Sequence, residues 1–201
     1  GGTGYNDIAW NFQGYGFATA DNREGNKDVW QDFSYIYTVI HHPAAGYIMY
    51  DVGLGPWEDI DRRPAEHRMV NPVRVSRDQY VDEGLKKIGL TVNDISAIVI
   101  SHCHWDHIGG LEFFKGTRAI QNVYVPYADF ERALVQTHRT SAGYSDSGYY
   151  RKNIDVEGAE YHLLEEDTEL FPGVDVLLLE GHTPAVAGLA LHLESGNYIM
   201  P

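Results

Sequence analysis

A mixed α/β fold with helices layered on sheets is predicted by three observations. Runs of β-branched and aromatic residues alternate with segments whose apolar positions recur at helical spacing. One of those runs, Ile95 to Ser101, is apolar almost throughout between Asn93-Asp94 and His102, the pattern of a strand buried on both faces. The 201 residues are 43% hydrophobic and 22% charged, with no repeat, charge block or Ser/Gly linker, so residues 1–201 read as a single domain with one core.

The first thirty residues mix Gly, Asn and aromatics and read as a loop-rich start. Tyr35 to Ile40 and Tyr47 to Val52 are strand-like on either side of the turn His42-Pro43-Ala44-Ala45-Gly46, which makes a hairpin. From there to Val75 the chain is polar, Arg-rich and punctuated by Pro, without clear periodicity. Ser76 with Gln79 three residues on signals a helix start, Val81, Leu85 and Ile88 share a face, and Gly89 ends the helix. After the apolar strand, Gly109-Gly110 opens a short helical piece, Leu111 to Phe114, with Phe113 and Phe114 in the core. Ala119 to Val125 predicts a strand, and Pro126 starts a helix over Tyr127 to His138 with Phe130, Ala133 and Leu134 on one face. Residues 139–159, rich in Ser, Gly and Tyr, predict a long surface loop of the kind that forms lids. Tyr161 to Leu164, Val174 to Glu180, Gly188 to Leu193 and Tyr198 to Met200 read as four short strands.

Asp and Glu total 29 against 15 Lys and Arg, a net charge of −14, so no broad electropositive footprint awaits nucleic-acid phosphates and nucleic acid is not an expected partner. A lone cysteine closes no internal disulfide, which removes the disulfide-scaffold class. No apolar stretch approaches bilayer-spanning length, and the cytoplasm is the expected compartment. The chain begins Gly-Gly-Thr-Gly and stops at Pro201 directly after strand-like residues, so both ends read as cut.

The chemistry lies in Ser101-His102-Cys103-His104-Trp105-Asp106-His107-Ile108-Gly109-Gly110, which sets three imidazoles and a carboxylate directly after the buried strand. In an extended segment His102 and His104 project to the same side and can bite one ion, while Asp106 and His107, where the chain turns helical, reach a second. Cys103 alternates away from them and reads as a small buried residue, and Trp105 as a packing residue. Zn²⁺ accepts this mix of imidazole and carboxylate, and Fe or Mn fits the same donors. A second signal is Gly181-His182-Thr183-Pro184 after the apolar run Val174 to Leu179: His182 is placed to complete the set begun by His102 and His104, with Gly181 allowing close backbone approach. His41, His42, His67, His138, His162 and His192 lack ligand spacing, and Glu165-Glu166-Asp167 reads as a solvated turn.

Together the Asp51-Val52-Gly53 strand end, the capped helix, the His-x-His-x-Asp-His strip with its Gly-Gly, and the Gly-His-Thr-Pro turn resemble the metallo-β-lactamase-fold superfamily of metal hydrolases. The resemblance implies an αββα sandwich, with His102, His104 and His182 on one of two divalent metals, Asp106 and His107 on the other, and Asp51 supporting a ligand from behind. His rather than Arg or Cys after Asp106 argues against the commonest true β-lactamases. The stretch from Val75 to Gly110 looks most like the N-acyl homoserine lactone lactonases, quorum-quenching enzymes that open a lactone ring with a hydroxide held between the metals. That implies a small carbonyl substrate, a catalytic role for Asp106 in orienting the nucleophile and carrying its proton, and an acyl pocket that Tyr144, Tyr149 and Tyr150 are placed to wall.

Two departures qualify the resemblance. The family's bridging Asp and last His fall beyond Pro201, as does most of the second half of the sandwich, which would leave a sheet edge uncovered. The interval from His107 to His182 is also longer than in the typical lactonase. Two alternatives therefore stand: another hydrolase of the fold, acting on a thioester, β-lactam or phosphodiester, or an inactive metal-binding domain that associates, as a homodimer for instance, through its exposed edge. A thioester of glutathione or a phosphodiester would need basic residues at the metals, from among Arg62, Arg63, Arg68, Arg74 and Lys115.

Overall fold

The computed structural model describes residues 2–7, 30–145 and 147–200. Its strands in chain order are β1 (Thr3–Asp7), β2 (Trp30–Ser34), β3 (Thr38–His42), β4 (Gly46–Tyr50), β5 (Val73–Arg74), β6 (Ile95–Val99), β7 (Val123–Pro126) and β8 (Tyr161–Leu164). They continue with β9 (Thr168–Phe171), β10 (Val174–Leu179), β11 (Val186–Leu193) and β12 (Gly196–Met200). The α-helices are α1 (Trp57–Asp61), α2 (Ala65–Val70), α3 (Val81–Lys86), α4 (Trp105–Ile108), α5 (Tyr127–His138) and α6 (Arg151–Ile154).

Alternation along β4 and β6 sorts the interior into two layers. Ile48, Tyr50, Ala97 and Val99 pack against Leu164, Val174, Val176, Ala187 and Leu189. Met49, Ile98 and, one step on, Ile100 face the opposite way, toward Val81, Leu85, Leu111, Phe114 and Ala133. A five-stranded sheet in the order β3-β4-β6-β7-β8 thus carries helices on one face and the four-stranded sheet β12-β11-β10-β9 on the other. β3 and β4 pair antiparallel as the predicted hairpin, and β4, β6, β7 and β8 run parallel. Parallel strands covered on both faces account for the unbroken apolar run at Ile95 to Ile100. In the second sheet Leu179 and Ile199 lie on the face turned away from the first and are 42% and 67% exposed. Among the described residues no helix is long and apolar enough to cross a membrane.

Several boundaries differ from the sequence expectations. The start of the chain includes a strand: β1 pairs antiparallel with both β2 and β5 in a third sheet, and much of the intervening stretch lies outside the described residues. Tyr35 lies outside the hairpin, in the link between β2 and β3, where its N–H donates to Gly2 and its hydroxyl to Asn71 at 3.1 Å. The segment read as aperiodic holds α1 and α2, each entered through a proline, too short to display a period. Ala119–Gln121 is a 3-10 turn that buries Ala119 and Ile120, so the strand begins only at Val123. The Tyr-rich stretch is no free lid: Gly148 accepts the Trp105 N–H at 3.1 Å, Arg151 donates to two carbonyls, and residues 151–154 are helical. The Ser76 start holds, with Gln79 Oε1 accepting the Ser76 N–H at 2.8 Å, and Gly89 ends the helical region at φ 78°.

Candidate metal centre

The strip begins where β6 stops. Beyond Val99 the chain leaves the sheet, and Ser101, His102 and Cys103 are buried before α4 starts at Trp105. Two backbone anchors fix this crossing: Ser101 accepts the Ala187 N–H from β11 at 2.7 Å, and Asp129 accepts the Cys103 N–H at 2.6 Å. The first ties the strip to the second sheet, the second to the first turn of α5. His182 arrives from that second sheet, on the turn between β10 and β11, where Gly181 takes φ 145° and Thr183 Oγ1 donates to Ala185 at 3.0 Å.

Ligand atoms of His102, His104 and His182 all lie within 4.8 Å of one another, so the three imidazoles predicted from two separate motifs do converge. Their rings stand nearly perpendicular in pairs, His102 against His182 at 89° and His104 against His182 at 82°. Such a set fits a divalent ion: three nitrogen donors facing one point are the usual protein share of an open tetrahedral site. Burial and the neighbouring imidazoles push the His102 pKa far down, and burial brings His104 to about 4, so both are neutral bases at ordinary pH.

Asp51 organises the donors from behind. It sits at φ 55°, a left-handed conformation that aspartate tolerates, just after β4. Its Oδ1 accepts the Ser101 N–H at 2.7 Å, and its Oδ2 accepts the Ser101 hydroxyl at 2.8 Å and the His107 Nδ1–H at 2.7 Å. With its hydroxyl proton given to Asp51, Ser101 Oγ accepts from His102 Nδ1 at 3.0 Å, which leaves the lone pair of that ring on Nε2. His102 Nε2 then meets His104 Nδ1 at 3.1 Å, inside the cluster. Burial lowers the His107 pKa, but Asp51 and Asp106 outweigh it and raise it to about 9. His107 Nε2 faces Asp106 Oδ2 at 3.8 Å, a spacing at which both can ligate one ion.

Two close approaches seat α4 beneath this network. His107 accepts the N–H groups of Val52 and Gly53 at 3.0 and 3.1 Å, and Gly53 accepts that of Gly110 at 2.9 Å. A Cβ on Gly109 would stand 2.6 Å from Gly55 N, and one on Gly110 would collide with Val52 O. The Gly-Gly pair is therefore a packing requirement of the strip.

The three tyrosines part company. Tyr149 is 1% exposed; its hydroxyl donates to Asp129 at 2.6 Å and its ring rests 4.8 Å from that of His104. Tyr144 and Tyr150 form a bridge and line a cavity with Trp105 and Arg63. Trp105 packs edge-on against Tyr35. Cys103 is fully buried and outside the donor set, as its alternation predicts. Asp129 and Ser101 escaped the sequence reading. Asp129 is fully buried in the first turn of α5, where an acidic residue reads from sequence as an ordinary partner of the helix N-terminus.

The metallo-beta-lactamase superfamily model matches residues 29–200. N-acyl homoserine lactonase AiiB of Agrobacterium fabrum (strain C58 / ATCC 33970) is 31% identical over 156 residues, 73% of this chain and 54% of that protein. N-acyl homoserine lactonase AiiA of Bacillus thuringiensis subsp. kurstaki is 31% identical over 116 residues, 58% of this chain and 40% of that protein. The chain thus spans about half the length of the curated relatives it matches. The solved structure of an N-acyl homoserine lactone hydrolase with the product N-hexanoyl-L-homoserine bound at its catalytic metal center is similar at TM-score 0.74 and 21% identity, covering 98% of this chain and 70% of that one. On the extent of the superfamily match and the shared fold, this chain belongs to the metallo-beta-lactamase superfamily.

Proposed function

We propose that this chain is the metal-binding part of a hydrolase that opens lactone or ester carbonyls, in the manner of the N-acyl homoserine lactonases it resembles. The observation that carries the reading is the meeting of His102, His104 and His182 from two sheets beside the Asp106 carboxylate. The three imidazoles would hold one divalent ion, and Asp106 with His107 a second; Zn²⁺ suits the donors, and Fe or Mn fits them too. Ions bound there would supply Lewis acidity, lowering the pKa of water and polarising a carbonyl.

The remaining work falls to the chain. Asp106 orients the attacking water, accepts its proton at a carboxylate oxygen and passes it to the leaving alkoxide. Asp51 holds the His107 ring through Nδ1, so that Nε2, on the Asp106 side, would give its lone pair to an ion there once its proton is displaced, and through Ser101 Asp51 fixes the tautomer of His102. Tyr144 and Tyr150 wall a space beside Trp105 for the acyl portion of the substrate, and Tyr149 borders the groove at His104 and His182.

A second reading, a hydrolase of the same fold acting on a thioester, β-lactam or phosphodiester, draws support from the presence of Arg62 and Arg63 in that cavity. Arg68 and Lys115 do not strengthen it, being engaged by Asp61 at 3.0 Å and Glu112 at 2.7 Å.

Ring opening of N-hexanoyl homoserine lactone by the full polypeptide, followed by chromatography of the product acid, tests the proposal. Turnover that disappears on chelation and returns with added Zn²⁺ is the expected result. A metal-loaded protein that leaves the lactone intact but cleaves a thioester or phosphodiester would transfer the assignment to the second reading.

A further inference from the structure

The cavity beside Trp105 has a charge pattern opposed to that of the whole chain, whose net charge is −14. Its volume is about 170 Å³, and its charged lining residues are Arg62, Arg63, Lys152 and Asp59. Asp59 is ion-paired with Lys152, which leaves the two arginines as the local surplus.

Arg63 is the unusual member. It is 5% exposed, its Nε donates to Ile60 at 3.0 Å, and its guanidinium carbon lies 4.1 Å over the Trp105 ring. Among the described residues no carboxylate stands within ion-pair distance of it, and its terminal nitrogens donate to no protein acceptor. Asp106 and the hydroxyls of Tyr35 and Tyr150 act on it only through space, while burial pulls its pKa down. A guanidinium is costly to bury without a counter-ion, and its planar fork matches a carboxylate or phosphate. Tyr150, held at its hydroxyl by His67 Nδ1 at 2.8 Å, and Tyr144 supply the aromatic wall opposite.

We propose that this cavity receives an anionic group, carboxylate or phosphate, at the end of the substrate remote from the carbonyl that is attacked, and that Arg63 determines specificity for it. Its part in turnover rests on the hydrolase reading, since Trp105 joins the cavity to Asp106; the anion site stands without it.

The test has two arms on the metal-loaded full polypeptide. In the first, glutarate and phenyl phosphate are titrated calorimetrically into wild type and Arg63→Gln. Charge-assisted fork contacts predict a loss of about tenfold or more in affinity for at least one probe, with Arg63→Lys in between, and the tighter probe names the group. Equal affinity in wild type and variant means the anion sits on the metals and overturns the proposal, as does no binding at all. Should Arg63→Gln fail to fold, phenylglyoxal labelling of wild type decides: shielding of Arg63 by the bound probe supports the site, and undiminished labelling overturns it. In the second arm, kcat/KM is compared for a lactone whose acyl chain ends in the preferred anion and a neutral one of equal length. The ratio exceeds one in wild type and falls about tenfold or more in Arg63→Gln. A ratio of one that the variant leaves in place overturns the specificity role. If neither lactone is opened, the hydrolase reading fails, and the titration alone decides the anion site.

Discussion

The Asp51 carboxylate accepts the His107 Nδ1–H at 2.7 Å and, at its other oxygen, the Ser101 N–H at 2.7 Å, so one aspartate aims a ring of the strip and pins the backbone ahead of it. Asp51→Asn keeps the side-chain shape and tolerates φ 55°, but loses the charge that secures the proton on Nδ1. We expect metal affinity to fall about 10- to 100-fold with little change in folding. Competition against a chromogenic chelator measures it, and unchanged affinity would detach Asp51 from the metal centre.

Asp129 makes a prediction of the opposite kind, large in stability. Fully buried, it accepts the Cys103 N–H at 2.6 Å and the Tyr149 hydroxyl at 2.6 Å. Asp129→Ala strands two buried donors and should cost about 2–5 kcal/mol, against about 1–2 kcal/mol for Tyr149→Phe. Urea denaturation of both single variants and the double variant would show non-additivity; strictly additive losses would mean the two side chains act apart.

The pH dependence of the metal-free protein follows from three histidines, His102 and His104 shifted down and His107 shifted up, so that His102 adds to the loss of stability on the acid side. His104, lowered to about 4, stays neutral in the fold while the unfolded chain takes up a proton near 6.5, so its contribution is lost as pH falls from about 6.5 toward 4. His107, raised to about 9, contributes fully below about 6.5 and loses its contribution as pH rises through 9. Each changes stability by at most about 1.4 kcal/mol per pH unit inside its window. Thermal unfolding in the presence of chelator should therefore show a maximum between the two windows, near pH 6.5. A curve that still climbs from pH 7 to 9 would contradict the role given to His107.

Gly110→Ala tests the seat of α4. A Cβ there meets Val52 O, on the same loop whose N–H groups hold His107. Overpacking of this kind costs about 1–3 kcal/mol, and here it should also lower metal retention, because the displaced loop begins at Asp51. Elemental analysis alongside the melting temperature checks both, and full metal occupancy in a destabilised variant would separate packing from the site.

Much of this architecture was legible where local signals were strong. The apolar run at Ile95, the Ser76 and Gln79 helix start, and the hairpin turn at His42 to Gly46 all lie close to where the residues indicate. The convergence of His182 with His102 and His104 was also anticipated, since each motif follows directly on a strand. What failed to show depends on contacts distant in sequence. β1 is visible only through partners some thirty and seventy residues away, and α1 and α2 are shorter than two turns. Asp129 looks like an ordinary polar helix residue until the Cys103 N–H is placed against it. Arg63 belongs to an Arg-rich segment in which nothing local distinguishes it from Arg62, and only the fold buries it.

The three imidazoles do not come from one sheet. His102 and His104 follow β6 of the five-stranded sheet, whereas His182 hangs from the loop at the end of β10 in the other. A metal ion seated among them is therefore a rivet driven through both halves of the sandwich, next to the backbone stitch from Ala187 to Ser101. Mechanical cohesion of the two layers and occupancy of the centre become one thermodynamic quantity, worth about 2.7 kcal/mol when free metal exceeds its dissociation constant a hundredfold. Stripping the ion should unclasp the sandwich at this end first, so that amide exchange quickens at the ends of β10 and β11 before it does along the centre of β6.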